Sequence, residues 1–287
     1  MGCRSGILHR VTTEGPSPKP ARPARQQRAP RVTYYLESRY RKLERGLPQT
    51  IFYCPECKGD RRRVRGCKRC DGFGKLTRDS VQELIARVVL PAFKARFGKF
   101  HGAGREDIDV KMLGRGRPFV YEVVGVRNEA ADLDAIDARL REVYAGRIEL
   151  DPFQKVERSR VAYWKEAQLD KCYRAWIEAS GPVDLERLQG LVGTSLAVTQ
   201  RTPQRVAYRR ADLERERWVE VLSVGEVAER SFTVDIRCMH GTYVKEWVNS
   251  DGGRTQSSLT ELLGVGCECV GLDVLDILTS EGDAAPG

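Results

Sequence analysis

Four of the nine cysteines fall in two tight pairs, Cys54-Pro-Glu-Cys57 and Cys67-Lys-Arg-Cys70, spaced C-x2-C-x9-C-x2-C. Each pair sets two thiolates on one turn, and two such turns complete a tetrahedral sulfur cage for zinc. Cysteine fills every position and leaves none open to water, so the Zn2+ expected here is structural. Gly59, Gly72 and Gly74 follow the pairs and suit the turns that the knuckles require. The competing reading is four unliganded core cysteines. Arg61-Arg62-Arg63-Val64-Arg65, between the pairs, offsets the negative charge of four metal-bound thiolates and presents a cationic loop to phosphate, unless it is simply a solvated loop. A nucleobase deaminase needs H-x-E ahead of P-C-x-x-C. None of the histidines (His9, His101, His240) opens H-x-E, and Tyr53 precedes Cys54, which excludes that chemistry.

The second constellation is Gly104-Arg105-Glu106-Asp107. From Asp107 onward Ile108, Val110 and Met112 alternate with Asp109 and Lys111, the two-residue period of a half-buried strand. Asp107 then stands at the mouth of a strand and is the carboxylate expected to enter a cleft, with Asp109, on the same strand face, as runner-up. By itself a Gly-Arg-x-Asp string is common and could equally be a turn cap.

The longer segment, Gly104 to Phe119, resembles the active-site text of the pseudouridine synthases, most closely the Pus-ten family that modifies the T-arm of tRNA. Lys171-Cys-Tyr-Arg-Ala175 is similar to that family's tyrosine motif. Arg237-Cys-Met-His-Gly-Thr-Tyr-Val-Lys245, continuing to Gly253-Arg-Thr255, is similar to its basic motif, and Gln200 to Arg210 agrees in character. The resemblance covers about residues 50–278. It implies a uridine-to-pseudouridine isomerase acting on tRNA at position 55, or also at 54, with Asp107 as nucleophile or base. Tyr173 would stack on the extracted base, Lys245 would be the cation beside Asp107, and Val244 and Leu272 the apolar walls. Arg105 would fill the space of the flipped nucleotide, and Arg205 and Arg209 would face RNA phosphates. Longer family members carry an accessory RNA-binding domain between the two cysteine pairs; here nine residues, Lys58 to Gly66, separate them. No organic cofactor is implied, and no Walker or dinucleotide fingerprint appears. A uridine N-glycosylase and a non-catalytic, zinc-containing tRNA-binding protein stay open as alternatives.

These residues need elements to hold them. Asp79-Ser80 caps a helix carrying Val81, Leu84, Ile85, Val88 and Phe93 at helical spacing, with Pro91 bending or ending it early and Gly98 as the stop. A hairpin is expected from 107–113 through Gly114–Pro118 to the β-branched run 119–126. Further expectations are a helix over 131–144, strands at 172–178, 217–224, 231–238 and 268–277, and helices after Thr242 and over 258–263. The class is α+β (mixed α/β), with one large, mostly antiparallel sheet flanked by helices and a small four-cysteine module. The expected domains are a basic Pro/Arg-rich disordered arm at 1–36, the zinc module at 48–78, the catalytic domain at 79–280 and a disordered tail at 281–287.

Charge agrees with a polyanionic partner. The 287 residues carry a net charge of +9, and it is local: +6 over residues 1–36 and +7 over 58–78, leaving −4 elsewhere. No run approaches the ~20 apolar residues of a membrane span. With no secretory h-region at the start, reduced thiols in a cytoplasmic monomer are expected; organellar targeting is the alternative for the arm. The expected partner is tRNA, and no membrane.

Overall fold

The computed structural model describes Gly2 and residues 32–208 and 210–279. Among the described residues eleven strands form one sheet: β1 (Thr33–Lys42), β2 (Phe97–Gly102), β3 (Lys111–Val124), β4 (Ile148–Leu150), β5 (Gln154–Val156), β6 (Lys171–Ala179), β7 (Ser195–Arg201), β8 (Glu214–Gly225), β9 (Ser231–Cys238), β10 (Thr255–Gln256) and β11 (Cys267–Ile277). The order is β10-β7-β8-β9-β6-β11-β3-β1-β4, with β2 also on β3 and β5 also on β1. All pairings are antiparallel except β3 with β11. The strands before residue 160 and the strands 171–256 therefore form two half-sheets, joined in the ladder only through β11. On one side β11 pairs along its length with β6; on the other it meets β3 only at Asp273↔Lys111 and Val274↔Met112.

Among the described residues seven α-helices accompany the sheet: α1 (Val81–Ala92), α2 (Leu133–Val143), α3 (Ser159–Glu166), α4 (Leu185–Gln189), α5 (Gln204–Ala207), α6 (Val244–Asn249) and α7 (Leu259–Leu263). Local chemistry explains the longer ones. The Ser80 hydroxyl accepts the Glu83 N–H at the start of α1, and Val81, Leu84, Ile85 and Val89 form its buried stripe. Pro91 lies in the last turn and the helix stops at Ala92, so Gly98 falls in a strand and not at the helix end. Asp132 caps α2 by accepting from Asp134 and Ala135 N–H. A Ser258/Glu261 capping box starts α7, and left-handed Gly264 ends it. Trp247 and Val248 of α6 are fully buried beside β11. None of the helices among the described residues is long and apolar enough to cross a membrane.

Two further expectations change. The predicted hairpin at 107–126 is instead a loop leading into one long strand, β3. Between the pairs Tyr40↔Arg117 and Lys42↔Met112, Arg41 alone on β1 faces Leu113 to Gly116 on β3. The glycine-rich stretch is thus a wide bulge and not a reversal. Gly114, with φ 56°, presses so close to β11 that a side chain there would stand 2.1 Å from the Leu275 carbonyl oxygen. The basic arm expected over 1–36 gives way to β1 at Thr33, because Tyr34 and Leu36 turn toward the core next to Val123 and Tyr121 of β3. The rest of that arm, apart from Gly2, and the tail at 281–287 lie outside the described residues.

Candidate active site and metal centre

Asp107 is carried by the loop between β2 and β3, and a buried polar network fixes that loop. Glu106, next to it, is 1% exposed at its side chain and pairs with Arg117 Nε at 2.8 Å, also 1% exposed. The Tyr40 hydroxyl donates to the same carboxylate at 2.9 Å, and Gln49 Nε2 donates both to the Tyr40 oxygen at 2.8 Å and to the Gly104 carbonyl at 3.0 Å. Arg117 Nη1 holds the Ala103 carbonyl at 2.8 Å. Lys42, fully buried, donates from Nζ to the carbonyls of Leu47, Asp107 and Ile108 at 2.8, 3.1 and 3.3 Å. Burial lowers the Lys42 ammonium below its ordinary pKa, against the pull of Glu106. The loop backbone is gripped from beneath while the Asp107 side chain, 44% exposed, stays open.

Two cations reach Asp107 from the other half-sheet. Arg205 Nη1, at α5, lies 3.4 Å from Asp107 Oδ2, and Lys245 Nζ, in the first turn of α6, lies 3.8 Å from the same oxygen. Lys245 is closer to Asp109 Oδ2, at 2.9 Å. Asp109 follows on the same turn and faces the same helix, so the cation expected for Asp107 is shared. Burial would raise the Asp109 carboxyl, but the Lys245 bond wins and holds it below the usual carboxylate range. Arg205 is aimed by Glu246, a buried carboxylate that accepts from its Nε. Gln200, also buried, clamps the start of α6 by donating to the Tyr243 carbonyl at 3.0 Å and accepting the Tyr243 N–H at 2.9 Å.

Tyr173, in β6, keeps part of its surface open, although protein surrounds it densely. Burial above all, then the Cys238 thiol, pushes its phenol well above the ordinary tyrosine value; Arg117 opposes, and Glu106 and Asp107 add to the rise. Its hydroxyl therefore stays protonated, a donor and not a phenolate base. Leu272 pairs with Ala175, two residues along the same face from Tyr173, and Val244 begins α6; both are buried. Arg105 is exposed. Arg209 lies outside the described residues. Asp107, Lys245 and Arg205 thus meet directly, and Asp107 adds to the rise at Tyr173, while for Val244 and Leu272 the structure shows burial alone.

The cysteine expectation can be tested on geometry alone. The four Sγ atoms all lie within 4.8 Å of one another. The Cys54–Cys67 and Cys57–Cys70 separations are both 3.7 Å. Four sulfurs about 2.3 Å from a tetrahedral zinc stand roughly 3.8 Å apart, so the residues present fit the ion. The knuckles repeat one backbone shape: Lys58-Gly59 and Asp71-Gly72 are all left-handed after their second cysteine, and the Gly74 N–H donates to Cys70 Sγ at 3.2 Å. The Cys57 N–H, foremost, brings the Cys54 thiol down to about 7, while burial pushes Cys67 up to about 12.

Sequence reasoning missed Glu106, Arg117, Lys42, Tyr40, Gln49 and Gln200. The one signal was Arg117 inside Gly114-Arg-Gly-Arg-Pro118, which read as turn punctuation.

The family model described as "Pus10, C-terminal" matches residues 35–278. The tRNA pseudouridine synthase Pus10 of Methanothrix thermoacetophila is 43% identical over 244 residues, covering 85% of this chain and 53% of that protein. Its counterpart in Korarchaeum cryptofilum is 39% identical over 249 residues, 85% of this chain and 65% of the relative. This chain spans about half to two thirds of the length of the curated relatives it matches. Among solved structures, a chain of a Cbf5-Nop10-Gar1 complex matches at 17% identity and TM-score 0.36, over 69% of this chain and 45% of that one, too remote to bear on the site.

Proposed function

The chain belongs to the Pus10 family of tRNA pseudouridine synthases, and from that premise we propose that it isomerises a T-arm uridine of tRNA to pseudouridine. We place the target at position 55 in preference to 54. The observation that carries the reading is the meeting of Asp107 with Lys245 and Arg205, drawn from three remote segments and two half-sheets, beside Tyr173.

In this reaction the C1′–N1 bond breaks, a C1′–C5 bond forms, C5 gives up a proton and N1 gains one; nothing else is consumed. Asp107 acts on the ribose as nucleophile or base, with Arg205 at 3.4 Å and Lys245 at 3.8 Å from its Oδ2. The Glu106–Arg117–Lys42 network holds the loop still while its carboxylate stays accessible, which is the geometry that positioned chemistry requires. Tyr173, held protonated, offers a ring for the uracil to stack on and a hydroxyl donor. The uridine must leave its own stack first, at a cost of a few kcal/mol. That cost is offset by stacking and by phosphate contacts on basic surface, including the exposed arginines at 61–63 of the cysteine module. Cys54, Cys57, Cys67 and Cys70 would hold zinc, which in a four-thiolate site would supply a structural crosslink that keeps the module folded.

Pseudouridine mapping on unmodified tRNA transcripts, with the wild type and with Asp107→Ala, tests this. Conversion at a T-loop uridine, abolished in the variant, is expected. Release of free uracil would point to an N-glycosylase. Binding without conversion would leave a tRNA-binding protein.

A further inference from the structure

Beyond Tyr173, the same sheet face carries three basic residues for which the reading above has no use. Lys171 pairs with Cys238 on β9, which pairs with Val219 on β8, so these three side chains share one face. Tyr173 is two residues along β6 on that face. Arg217 is two residues before Val219 on β8. The Met239 N–H donates to the Trp218 carbonyl at 3.1 Å and carries the ladder one step past β9, which sets His240 opposite Arg217. Gly241, left-handed at φ 74°, lies over the guanidinium: a side chain there would stand 3.4 Å from Arg217 Nη2.

The cluster lacks counterions. Among the described residues no carboxylate lies within 4.0 Å of Lys171, Arg217 or His240. Lys171 Nζ donates to the Leu169 carbonyl at 2.6 Å, and Arg217 Nη1 to the Glu216 carbonyl at 2.6 Å. Arg217 Nε is buried without a hydrogen-bond partner. A buried donor left unmet beside other cations is costly, and an anion relieves both costs at once. The two other cations disfavour charge on His240, and arginines outside the cluster disfavour it on Lys171 and Arg217. Burial, then Arg217 and Lys171, lowers His240. Burial, then Arg117, brings Lys171 down to about 8. Burial, then Arg215, lowers Arg217. Among the described residues the one acid acting on them is Asp170, just before β6, which partly offsets the fall at Lys171 and His240; Cys238 adds to the offset at Lys171 and Tyr243 at Arg217.

We propose that Lys171, Arg217 and His240 form a phosphate subsite that grips the phosphodiester flanking the nucleotide presented to Asp107. This rests on the proposed function, since a ribose brought to Asp107 carries a phosphate on each side. Arg217 offers a planar fork, Lys171 a point charge and His240 a ring N–H, donors suited to a tetrahedral anion.

Two measurements separate this subsite from the RNA reading. The first follows the His240 imidazole by NMR as inorganic phosphate or 5′-UMP is added, with His101, which is hydrogen-bonded to Glu122, as internal control. His240 is expected to move and to gain proton affinity, His101 to stay, and Arg217→Gln to abolish the response. The second measures tRNA affinity against KCl. Arg217→Gln should weaken binding about 10- to 100-fold and reduce the salt slope by about one, with Arg217→Lys intermediate and both variants melting like the wild type. If His240 ignores both probes, or responds equally in Arg217→Gln, the subsite is refuted even where tRNA is converted. If His240 responds as expected but no tRNA binds, the subsite stands and the tRNA reading falls.

Discussion

Replacing Glu106 with glutamine keeps the shape of the side chain and removes the charge that Arg117, Tyr40 and Lys42 share. The Glu106–Arg117 pair is 1% exposed on both sides, so its environment offers no water to take over. Breaking a buried pair by removing one partner costs about 3–5 kcal/mol, because the other charge is left uncompensated. For a domain of this size each kcal/mol moves Tm by about 2–4 °C, so the expected fall is about 6–20 °C. The loop carrying Asp107 hangs on the same bonds. A displacement of about 1 Å there should lower the isomerisation rate about 100-fold at temperatures where the variant is folded. Differential scanning calorimetry reads the first effect and single-turnover conversion of tRNA the second. Glu106→Leu with Arg117→Met removes both charges and should recover at least half of the lost stability. A fall in Tm below about 2 °C, or a double variant no better than the sum of its parts, would refute the view that this pair anchors the loop.

Three further expectations follow from the site and its surroundings. Asp107→Asn should reduce conversion by at least ~100-fold, while Asp109→Asn, which frees Lys245 from its 2.9 Å bond, should stay within ~10-fold of wild type; the reverse ranking would make Asp109 the reacting group. Asp79 is held below the ordinary aspartate range because Arg87 and Arg147 together outweigh its burial. Its contribution to stability is therefore present above the unfolded carboxylate pKa and lost as pH falls through the folded one. Asp79→Asn should destabilise the protein in urea melts at pH 7, and the difference should shrink as the pH falls through the lowered range of the folded carboxyl. Metal analysis should find one zinc per chain, replaceable by cobalt with the visible bands of a tetrahedral thiolate site, and Cys57→Ser should lose the metal and unfold the module.

Where the chemistry was local, the sequence made it readable. The cysteine knuckles declare themselves because both ligands of a pair come from one turn, α1 because its cap and stripe lie within a dozen residues, and α2 because its apolar stripe does. β6, β8, β9 and β11 showed through their apolar and β-branched content. The hairpin at 107–126 failed because glycine and arginine signal a turn equally well whether the chain reverses or bulges; only the neighbours at Leu275 and Tyr40 decide. β4 and β5, three residues each, are too short to carry a period. The supports of Asp107 were hidden for a different reason. Glu106, Asp107 and Asp109 are all acids within four residues, and which one is buried depends on Arg117, Tyr40 and Lys42, which only the completed sheet brings close.

The place of β11 has a consequence for how the protein is made. Asp107, Glu106, Arg117 and Lys42 belong to the half-sheet synthesised first, and Tyr173, Arg205 and Lys245 to the half that follows. The strand that zips these halves together is the last of the eleven to leave the ribosome, and it must enter between two partners already formed. Each half has its own pairings to form during synthesis, and the ladder that joins the halves is complete only once residues 267–277 have been added. A nascent chain stalled before that point would hold both parts of the site without the strand that joins their half-sheets.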